Sequence, residues 1–405
     1  MKRIIKRTFN PLKALMEDSR TVGILLILST LLSILLANSA SGDQYRGFWL
    51  AESHQLHSLS LPANFGEWIN GFLMSFFFLL AGMEIKRELL TGELSSFKKA
   101  ILPVAAALGG MVVPALIYVA FNVNSPFAAG WGIPTATDIA FSLGIASLLG
   151  KRVPNALKVF LMALAIIDDL GAIVIVAVFY GGNVSWMFLG LSVIVYLMLL
   201  AVSTRKSAFV PLQIILSLAL WFTIFKAGIE ASIAGVLVAF AMPSNVLPAI
   251  ERVIHKPVNF LILPLFALAN TAILLPENVA STIGSSVSIG IMLGLVLGKP
   301  LGIYLFSKVL VMLKVAALPK KIHWNQVFAM GTLAGIGFTM SIFTTNLAFA
   351  ADAYKDAAKI AILISMVCSV VVSYLMFLFV EKKSVAATVS TREGKTEVSL
   401  SLKNI

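Results

Sequence analysis

Two adjacent acids, Asp168 and Asp169, lie in the middle of an apolar stretch, residues 159–179, that is long enough to cross a lipid bilayer. A charged carboxylate at the centre of a membrane helix costs roughly 2.5–3.5 kcal/mol on insertion scales. A role in helix packing does not explain why two adjacent residues should each carry this cost. We therefore expect the pair to face a water-filled path, to bind a cation or to carry protons.

Two further ionisable residues, Asp138 and Lys299, also fall inside apolar segments. If all four groups were charged and unpaired, the insertion penalty would total about 10–14 kcal/mol, so we expect them to converge and pair. A purely structural role for Lys299, as partner of one carboxylate, is an alternative that is compatible with a functional one. Neighbouring helical residues point about 100° apart. One of the adjacent acids can therefore line a cavity while the other meets a neighbouring helix.

Two apolar segments, 126–150 and 325–349, contain residues that interrupt helices beside hydroxyl groups. Each is the middle member of a three-span group, 100–180 and 284–381. Interrupted segments at corresponding positions of two halves indicate a transporter's binding site at the bilayer midplane. For Gly331 or Gly335 alone, close helix packing is the alternative. The residues concerned are Gly130, Gly132, Pro134 and Thr137 in the first segment, and Gly331, Gly335, Gly337, Thr339 and Ser341 in the second.

Interrupted helices present unpaired backbone groups at their inner ends. The N–H groups carry the positive end of the helix dipole and the C=O groups carry the negative end. Asp138 can offset the former and Lys299 the latter. Freed carbonyl groups and the Thr137 hydroxyl are hard oxygen ligands, which suit alkali cations.

The composition indicates a membrane protein with many spans. Of the 405 residues, 59% are hydrophobic and 12% are charged, and the mean hydropathy of +0.94 lies outside the soluble globular range. The net charge of +12 does not indicate nucleic acid, because the basic residues lie in short connectors between apolar runs. The single cysteine, Cys368, excludes disulfides and thiolate metal sites, and its apolar surroundings predict a buried, inert thiol.

We predict a transmembrane domain over 21–383, between a basic N-terminal segment, 1–20, and a polar tail, 384–405, that is expected to be disordered. A cleavable signal peptide is the alternative for the N-terminal segment, but Glu17 and Asp18 argue against it. We predict twelve spans from the apolar runs. They are 21–38, 66–85, 100–121, 126–150, 155–180, 184–203, 208–225, 228–242, 257–276, 284–311, 325–349 and 357–380.

Lysine and arginine residues indicate the orientation of the chain. If every predicted span crosses once, the basic connectors share the side of the N-terminus, and the opposite connectors are neutral, acidic or mixed. This asymmetry places both termini in the cytoplasm. The basic residues are Lys86, Arg87, Lys98, Lys99, Lys151, Arg152, Arg205, Lys206, Arg252, Lys256, Lys314, Lys320, Lys321, Lys382 and Lys383.

Five motifs, taken together, resemble the NhaA-type sodium/proton antiporters of bacterial inner membranes. The resemblance covers roughly 20–383. It implies an all-α polytopic fold with twelve helices, two inverted repeats and two interrupted helices that cross at the midplane. It also implies a cation site at Asp169 with Asp168 beside it, Lys299 as ion-pair partner and proton carrier, and Asp138 stabilising the crossing. The motifs are Phe77–Leu89, Ala136–Phe141, Ile166–Ala172, Gly298–Gly302 and Gly337–Phe343.

The function implied by the resemblance is exchange of cytoplasmic sodium or lithium for external protons, electrogenic and regulated by pH, with no cofactor. Three positions depart from the family's pattern. Gly71 stands where an acid is expected, and Glu230 stands where a histidine is often found. Arg252 does not add a further histidine to the set that the family has. For Glu84 to Glu88 an ordinary charged helix end is the alternative. The pH-control candidates are Glu84, Arg87, Glu88, Glu230, Glu251 and His255.

The connector 39–65 contains His54 and His57 among alternating polar and apolar residues. Two histidines in a loop are weak evidence for zinc. We prefer a small external hairpin, which in the family bridges two protomers, so the resemblance implies a homodimer.

Two other functions compete with antiport. An intramembrane aspartyl protease also needs two aspartates, but an adjacent pair on one helix cannot readily share a catalytic water. A passive cation channel would need a repeated filter or a ring of charges, which the sequence does not contain. The sequence therefore supports both alternatives less well than it supports a transporter.

Overall fold

Long apolar runs dictate the architecture, because inside a bilayer the backbone groups must be satisfied within helices. The computed structural model describes residues 19–53, 61–182, 184–203, 210–276, 278–319 and 322–401, and these ranges contain helices and no strand. Seven helices of this described part are long and apolar enough to cross a membrane, or up to nine if each of two bent helix pairs is one span. The chain is therefore an all-α, multi-span membrane protein. The count of twelve spans and the inverted repeats stay predictions.

The helices are numbered here in chain order. They are α1 (Ser19–Ala37), α2 (Gly42–Leu50), α3 (Phe65–Thr91), α4 (Phe97–Asn122), α5 (Ile139–Leu148), α6 (Asn155–Phe179), α7 (Trp186–Ser203), α8 (Val210–Lys226), α9 (Ile233–Ala241), α10 (Leu247–Asn270), α11 (Val279–Ile283), α12 (Ser286–Met312), α13 (Trp324–Ala334), α14 (Phe338–Ala348) and α15 (Asp352–Ser401). Short π-helical segments lie within α3, α10 and α12, at Trp68–Leu73, Val258–Ile262 and Gly294–Gly298.

Both segments that the sequence predicts to be interrupted are broken near their middle. Helices α13 and α14 meet at a bend of 50°, with Gly335 at the end of the first and Gly337 at the start of the second. In the other segment a 3-10 helix, Ala128–Thr135, leads through extended backbone into α5. Pro134 lies in that 3-10 helix and has no N–H with which to continue an α-helix. The predicted interruptions are confirmed.

The helices pack in two groups. A core group consists of α4–α6 and α12–α15 with the 3-10 helix, and it contains both interrupted segments. A flanking group consists of α1, α3 and α7–α10, in which α3 packs on α9 and α1 packs on α10. The two groups touch where α1 meets α5, where α3 meets α6, and where α10 meets α14.

The tightest crossing in the core group brings α4 against α12. A Cβ atom added to Gly302 would overlap the backbone carbonyl of Gly109. We expect Gly302→Ala to lower stability by about 1–3 kcal/mol, since the two helices must separate to accommodate the methyl group. Thermal unfolding of the purified protein measures the effect. Gly190→Ala in α7 is the matched control, because a Cβ there meets nothing within 4 Å, and equal melting temperatures for the two variants would contradict the expectation.

One prediction about local environment is corrected by the structure. Cys368 is exposed on the surface of α15, not buried. A lipid-facing helix surface is as apolar as a helix interface, so hydropathy does not distinguish them. The helix α15 extends to Ser401, and the disorder expected for the tail 384–405 stays a prediction.

The connector 39–65 is partly helical. Helix α2 occupies Gly42–Leu50 and meets α1 at a bend of 115°, which the prediction of a hairpin did not include. The Ser53 N–H donates a hydrogen bond of 2.8 Å to the Ala63 carbonyl. The N-terminal segment as far as residue 18, and the histidine pair His54 and His57, lie outside the described residues.

Candidate functional site

Lys299 and Asp168 form an ion pair that is shielded from solvent. The Lys299 Nζ lies 2.9 Å from Asp168 Oδ2, and both side chains are 0% exposed. Lys299 also donates a hydrogen bond to the carbonyl of Thr135, the last residue of the 3-10 helix. That carbonyl is at the negative end of an interrupted helix, so the ammonium group balances a carboxylate and a helix end together.

The Thr137 hydroxyl lies beside the same carboxylate. Its oxygen is 2.6 Å from Asp168 Oδ2 and 2.9 Å from the Ala334 carbonyl. A hydroxyl has one proton, so it donates to one of these acceptors at a time. Thr137 thereby links the extended segment before α5 to the end of α13.

Asp138 caps two helices at once. Its Oδ1 accepts the Phe141 N–H at 3.1 Å, at the start of α5, and its Oδ2 accepts the Thr339 N–H at 3.1 Å, at the start of α14. The Thr339 hydroxyl donates to the same Oδ2 at 2.6 Å. A carboxylate at two helix N-termini offsets two positive dipole ends, as the sequence interpretation of Asp138 expects.

Hydroxyl groups of each interrupted segment donate hydrogen bonds to backbone carbonyls of the other segment. The Ser341 hydroxyl donates to the Ile133 carbonyl at 2.7 Å, and the Ser142 hydroxyl donates to the Leu333 carbonyl at 2.8 Å. Each bond joins one interrupted segment to the other. Sequence reasoning missed Ser142, because a serine in a helix can equally donate to the carbonyl four residues earlier on its own helix.

Gly337 is required at the crossing by close approach. A Cβ atom there would overlap the Ser341 hydroxyl and lie 2.9 Å from the Ala136 carbonyl. The polar atoms of the crossing therefore leave no room for a larger side chain at this position.

Asp169 faces a cavity, unlike its neighbour. The cavity has a volume of about 670 Å³ and is lined by Asp169, Thr137 and Asp138 in the middle of the core group, and by Arg252 and other charged residues at one end of the bundle. Asp168 is not among the described residues that line this cavity. Its side chain faces Lys299 instead. The remaining charged or polar residues that line the cavity include Glu84, Arg87, His255, Lys256, Asn259 and Thr339.

One oxygen of each acid, Asp168 Oδ1 and Asp169 Oδ1, is buried without a hydrogen-bond partner among the described residues. A buried carboxylate oxygen without a donor is unfavourable as an anion and is satisfied by a proton or a cation. Asp169 lines the cavity, so an ion that enters the cavity can reach its side chain.

The pH-control candidates do not form one cluster. Glu84, Arg87 and His255 line the cavity that holds Asp169, and Arg87 Nη1 pairs with Glu251 Oε1 at 2.5 Å. Glu88 is buried and accepts the Glu93 N–H at 2.9 Å. Glu230 lies apart from the other candidates, in a second cavity.

The second cavity has a volume of about 550 Å³ and lies at the opposite ends of α3 and α14 from the first. Glu230 and Gly71 line it, so two of the three positions at which the resemblance leads us to expect a different residue face the same space. Glu230 is included among the pH-control candidates because of the family resemblance, which carries no information on the cavity that it lines.

Known proteins are similar in sequence to this chain over most of its length. Residues 13–377 match the family model described as Na+/H+ antiporter 1. The chain is 42% identical over 371 residues to the Na(+)/H(+) antiporter NhaA of Cytophaga hutchinsonii, with 90% of this chain and 94% of that protein covered. It is 45% identical over 375 residues to the Na(+)/H(+) antiporter NhaA of Dechloromonas aromatica, covering 90% and 95%. For the Na(+)/H(+) antiporter NhaA 1 of Klebsiella pneumoniae, identity is 46% over 366 residues, covering 87% and 92%.

Proposed function

Because this chain belongs to the Na+/H+ antiporter 1 family and is a transporter of sodium and protons rather than an enzyme, we propose that Asp169 is the site at which the two ions compete. The observation that carries the proposal is the position of this carboxylate, which lines a cavity and has one oxygen without a partner among the described residues. Thr137 lines the same cavity and offers a hydroxyl oxygen to the cation.

A shared carboxylate couples the two ions. Burial favours the neutral, protonated form of a carboxyl group, whereas an adjacent cation favours the charged form. Sodium that enters the cavity therefore releases the proton from Asp169, and protonation releases sodium. Alternating access exposes this one site to each side of the membrane in turn.

The ion pair beside the site provides a second group that exchanges protons. When Asp168 or Lys299 changes its protonation together with Asp169, two protons move against one sodium ion and the cycle carries net charge. An inside-negative potential then helps to drive sodium outward, by about 2.3 kcal/mol per charge per 100 mV. Exchange is thus electrogenic in this proposal.

The charge pattern supports one orientation in the bacterial inner membrane. With both termini in the cytoplasm, the cavity that contains Arg252 and His255 opens to the cytoplasm, and the second cavity faces outward. Cytoplasmic sodium or lithium then reaches Asp169 directly. The connector 39–65 lies outside and joins two protomers in a homodimer.

Reconstituted liposomes test the proposal. An outward sodium gradient should drive proton entry in a protein-dependent manner, and lithium should replace sodium. Flux of sodium without proton movement would indicate a channel, and cleavage of a peptide that spans the membrane would indicate a protease. Either result would reject antiport at Asp169.

Glu230 tests whether the second cavity contributes to pH control. We expect Glu230→His to move the midpoint of exchange to higher pH, since histidine becomes positively charged below about pH 6.5 and repels sodium from the cavity. Exchange by proteoliposomes at half-unit pH steps measures the midpoint. Glu230 Oε1 also lies 3.3 Å from the Ser232 N–H at the start of α9, so a capping role is the alternative. Midpoints unshifted in both Glu230→His and Glu230→Gln would reject the regulatory role.

A further inference from the structure

The two cavities approach each other along two helices. On α14, Met340 lines the first cavity and Asn346 lines the second. On α3, Phe77 lines the first cavity and Gly71 lines the second. Each pair of residues is six positions apart, which corresponds to about 9 Å at about 1.5 Å per residue. A thin layer of protein between α3 and α14 thus separates the site of Asp169 from the second cavity.

Aromatic side chains form the part of this layer nearer to Asp169. Phe78 of α3 and Phe343 of α14 are buried, and their ring centroids are 5.4 Å apart. Met74 is fully buried one turn before Phe78. These apolar contacts resist a hydrated ion, but they have no directional bonds that would hold the two helices in one arrangement.

Three asparagines form the part of the layer that faces the second cavity. Asn270 at the end of α10 donates hydrogen bonds to Asn70 Oδ1 at 2.8 Å and to the Phe266 carbonyl at 2.9 Å. Its own Oδ1 accepts from Asn70 at 3.3 Å and from Asn346 at 2.5 Å. The Asn270 amide therefore uses both of its donors and accepts two hydrogen bonds. All three asparagines line the second cavity.

The network joins the two groups of helices. Asn70 and Asn270 belong to the flanking group, whereas Asn346 belongs to the core group. The hydrogen bond from Asn346 to Asn270 is thus a directional bond between groups that must move relative to each other when access alternates. An amide does not titrate in the physiological pH range, so a change in the protonation of the asparagines themselves does not break this bond.

We propose that the asparagines Asn70, Asn270 and Asn346 form the gate that closes the second cavity from the ion site. The inference rests on the proposed alternation of access at Asp169. When the Asn346–Asn270 bond breaks, α14 can move away from α3 and α10, the Phe78–Phe343 contact opens, and Asp169 becomes accessible from the second cavity. The bond thereby biases the resting protein toward the state in which the first cavity reaches Asp169.

Accessibility of a reporter thiol tests the gate without relying on transport. Thr344 lies on α14 between Met340 and Asn346 and is buried, so Thr344→Cys, in a background with Cys368→Ser, places a thiol on the part of α14 that lies between the two cavities. A membrane-impermeant thiol reagent is added to right-side-out vesicles, from the side of the second cavity. We expect Asn346→Leu to raise the labelling rate about three- to fifteenfold, the range that corresponds to the loss of one interhelical hydrogen bond in a membrane.

Asn122→Leu is the matched control. Asn122 is buried and, like Asn346, donates between helices, to the Ser286 carbonyl at 3.0 Å, but both of its helices belong to the core group. This variant should leave the labelling rate from the second cavity unchanged. Asn346→Ala serves as a second gate variant, because it removes the amide without adding a branched side chain.

The outcomes separate the gate from the proposed function. An unchanged labelling rate in both Asn346 variants would overturn the gate, as would an equal increase in Asn122→Leu. An equal increase from the opposite side, measured with inside-out vesicles, would show general loosening and would also overturn it. Sodium-driven proton exchange by the unmodified chain is measured separately, and its absence would reject antiport while leaving the labelling result intact.

Discussion

Asp169→Asn is expected to abolish sodium-driven proton exchange while the protein remains inserted and folded. Asparagine has almost the same shape as aspartate, but its amide neither exchanges a proton in the physiological range nor supplies a charged ligand. Asp169 lines the cavity and has a carboxylate oxygen, Oδ1, without a partner among the described residues, so the substitution breaks no hydrogen bond at that oxygen. The activity should fall to the level of liposomes without protein.

The measurement is sodium-driven proton movement in proteoliposomes that contain equal amounts of purified protein. Asp43→Asn is the matched control, because it makes the same chemical change on a side chain that is 96% exposed, and it should retain normal exchange. Thermal unfolding should give similar melting temperatures for both variants. Near-normal exchange by Asp169→Asn would remove Asp169 from the ion site.

Lys299→Ala should destabilise the protein strongly. It leaves Asp168 without its ammonium partner in an environment where both side chains are 0% exposed, and breaking a buried pair on one side typically costs about 3–5 kcal/mol. It also leaves the Thr135 carbonyl without the Lys299 hydrogen bond. Adding Asp168→Asn should recover much of the loss, since the uncompensated charge is then gone.

A double-mutant cycle on thermal or denaturant unfolding measures this coupling. The surface pair Lys355–Asp352, with an N–O distance of 3.1 Å and side chains that are 24% and 80% exposed, provides the comparison. Its coupling should be below about 1 kcal/mol, as is usual for surface ion pairs. A cycle at Lys299 and Asp168 no larger than that of the surface pair would contradict a structural role for the buried one.

Local sequence is sufficient to predict the helical membrane class and the two breaks. Hydropathy over about twenty residues reports a span because the bilayer has a fixed thickness. Pro134 and Gly335 report interruptions because their effect on the backbone does not depend on distant partners. Four ionisable residues in apolar segments predict a common site, since the insertion penalty leaves few other solutions.

Tertiary structure decides what depends on the facing helix. Which of two adjacent acids meets Lys299 follows from how α6 is rotated against α12, and hydropathy carries no information on rotation. For the same reason Cys368 is exposed where its apolar surroundings predict burial, and Glu230 lines a different cavity from Glu84.

The asparagine gate is the clearest example of a feature that the sequence alone does not reveal. Asn70, Asn270 and Asn346 come from three helices, and each is a single amide in an apolar run. An isolated amide has no distinctive local signal, because it can bond to its own helix, to water or to another helix. A charge inside a membrane must find a partner, and sequence therefore reveals Asp168 and Lys299. A neutral amide has many partners that satisfy it, and only the packing of α3, α10 and α14 selects the one that joins the two groups.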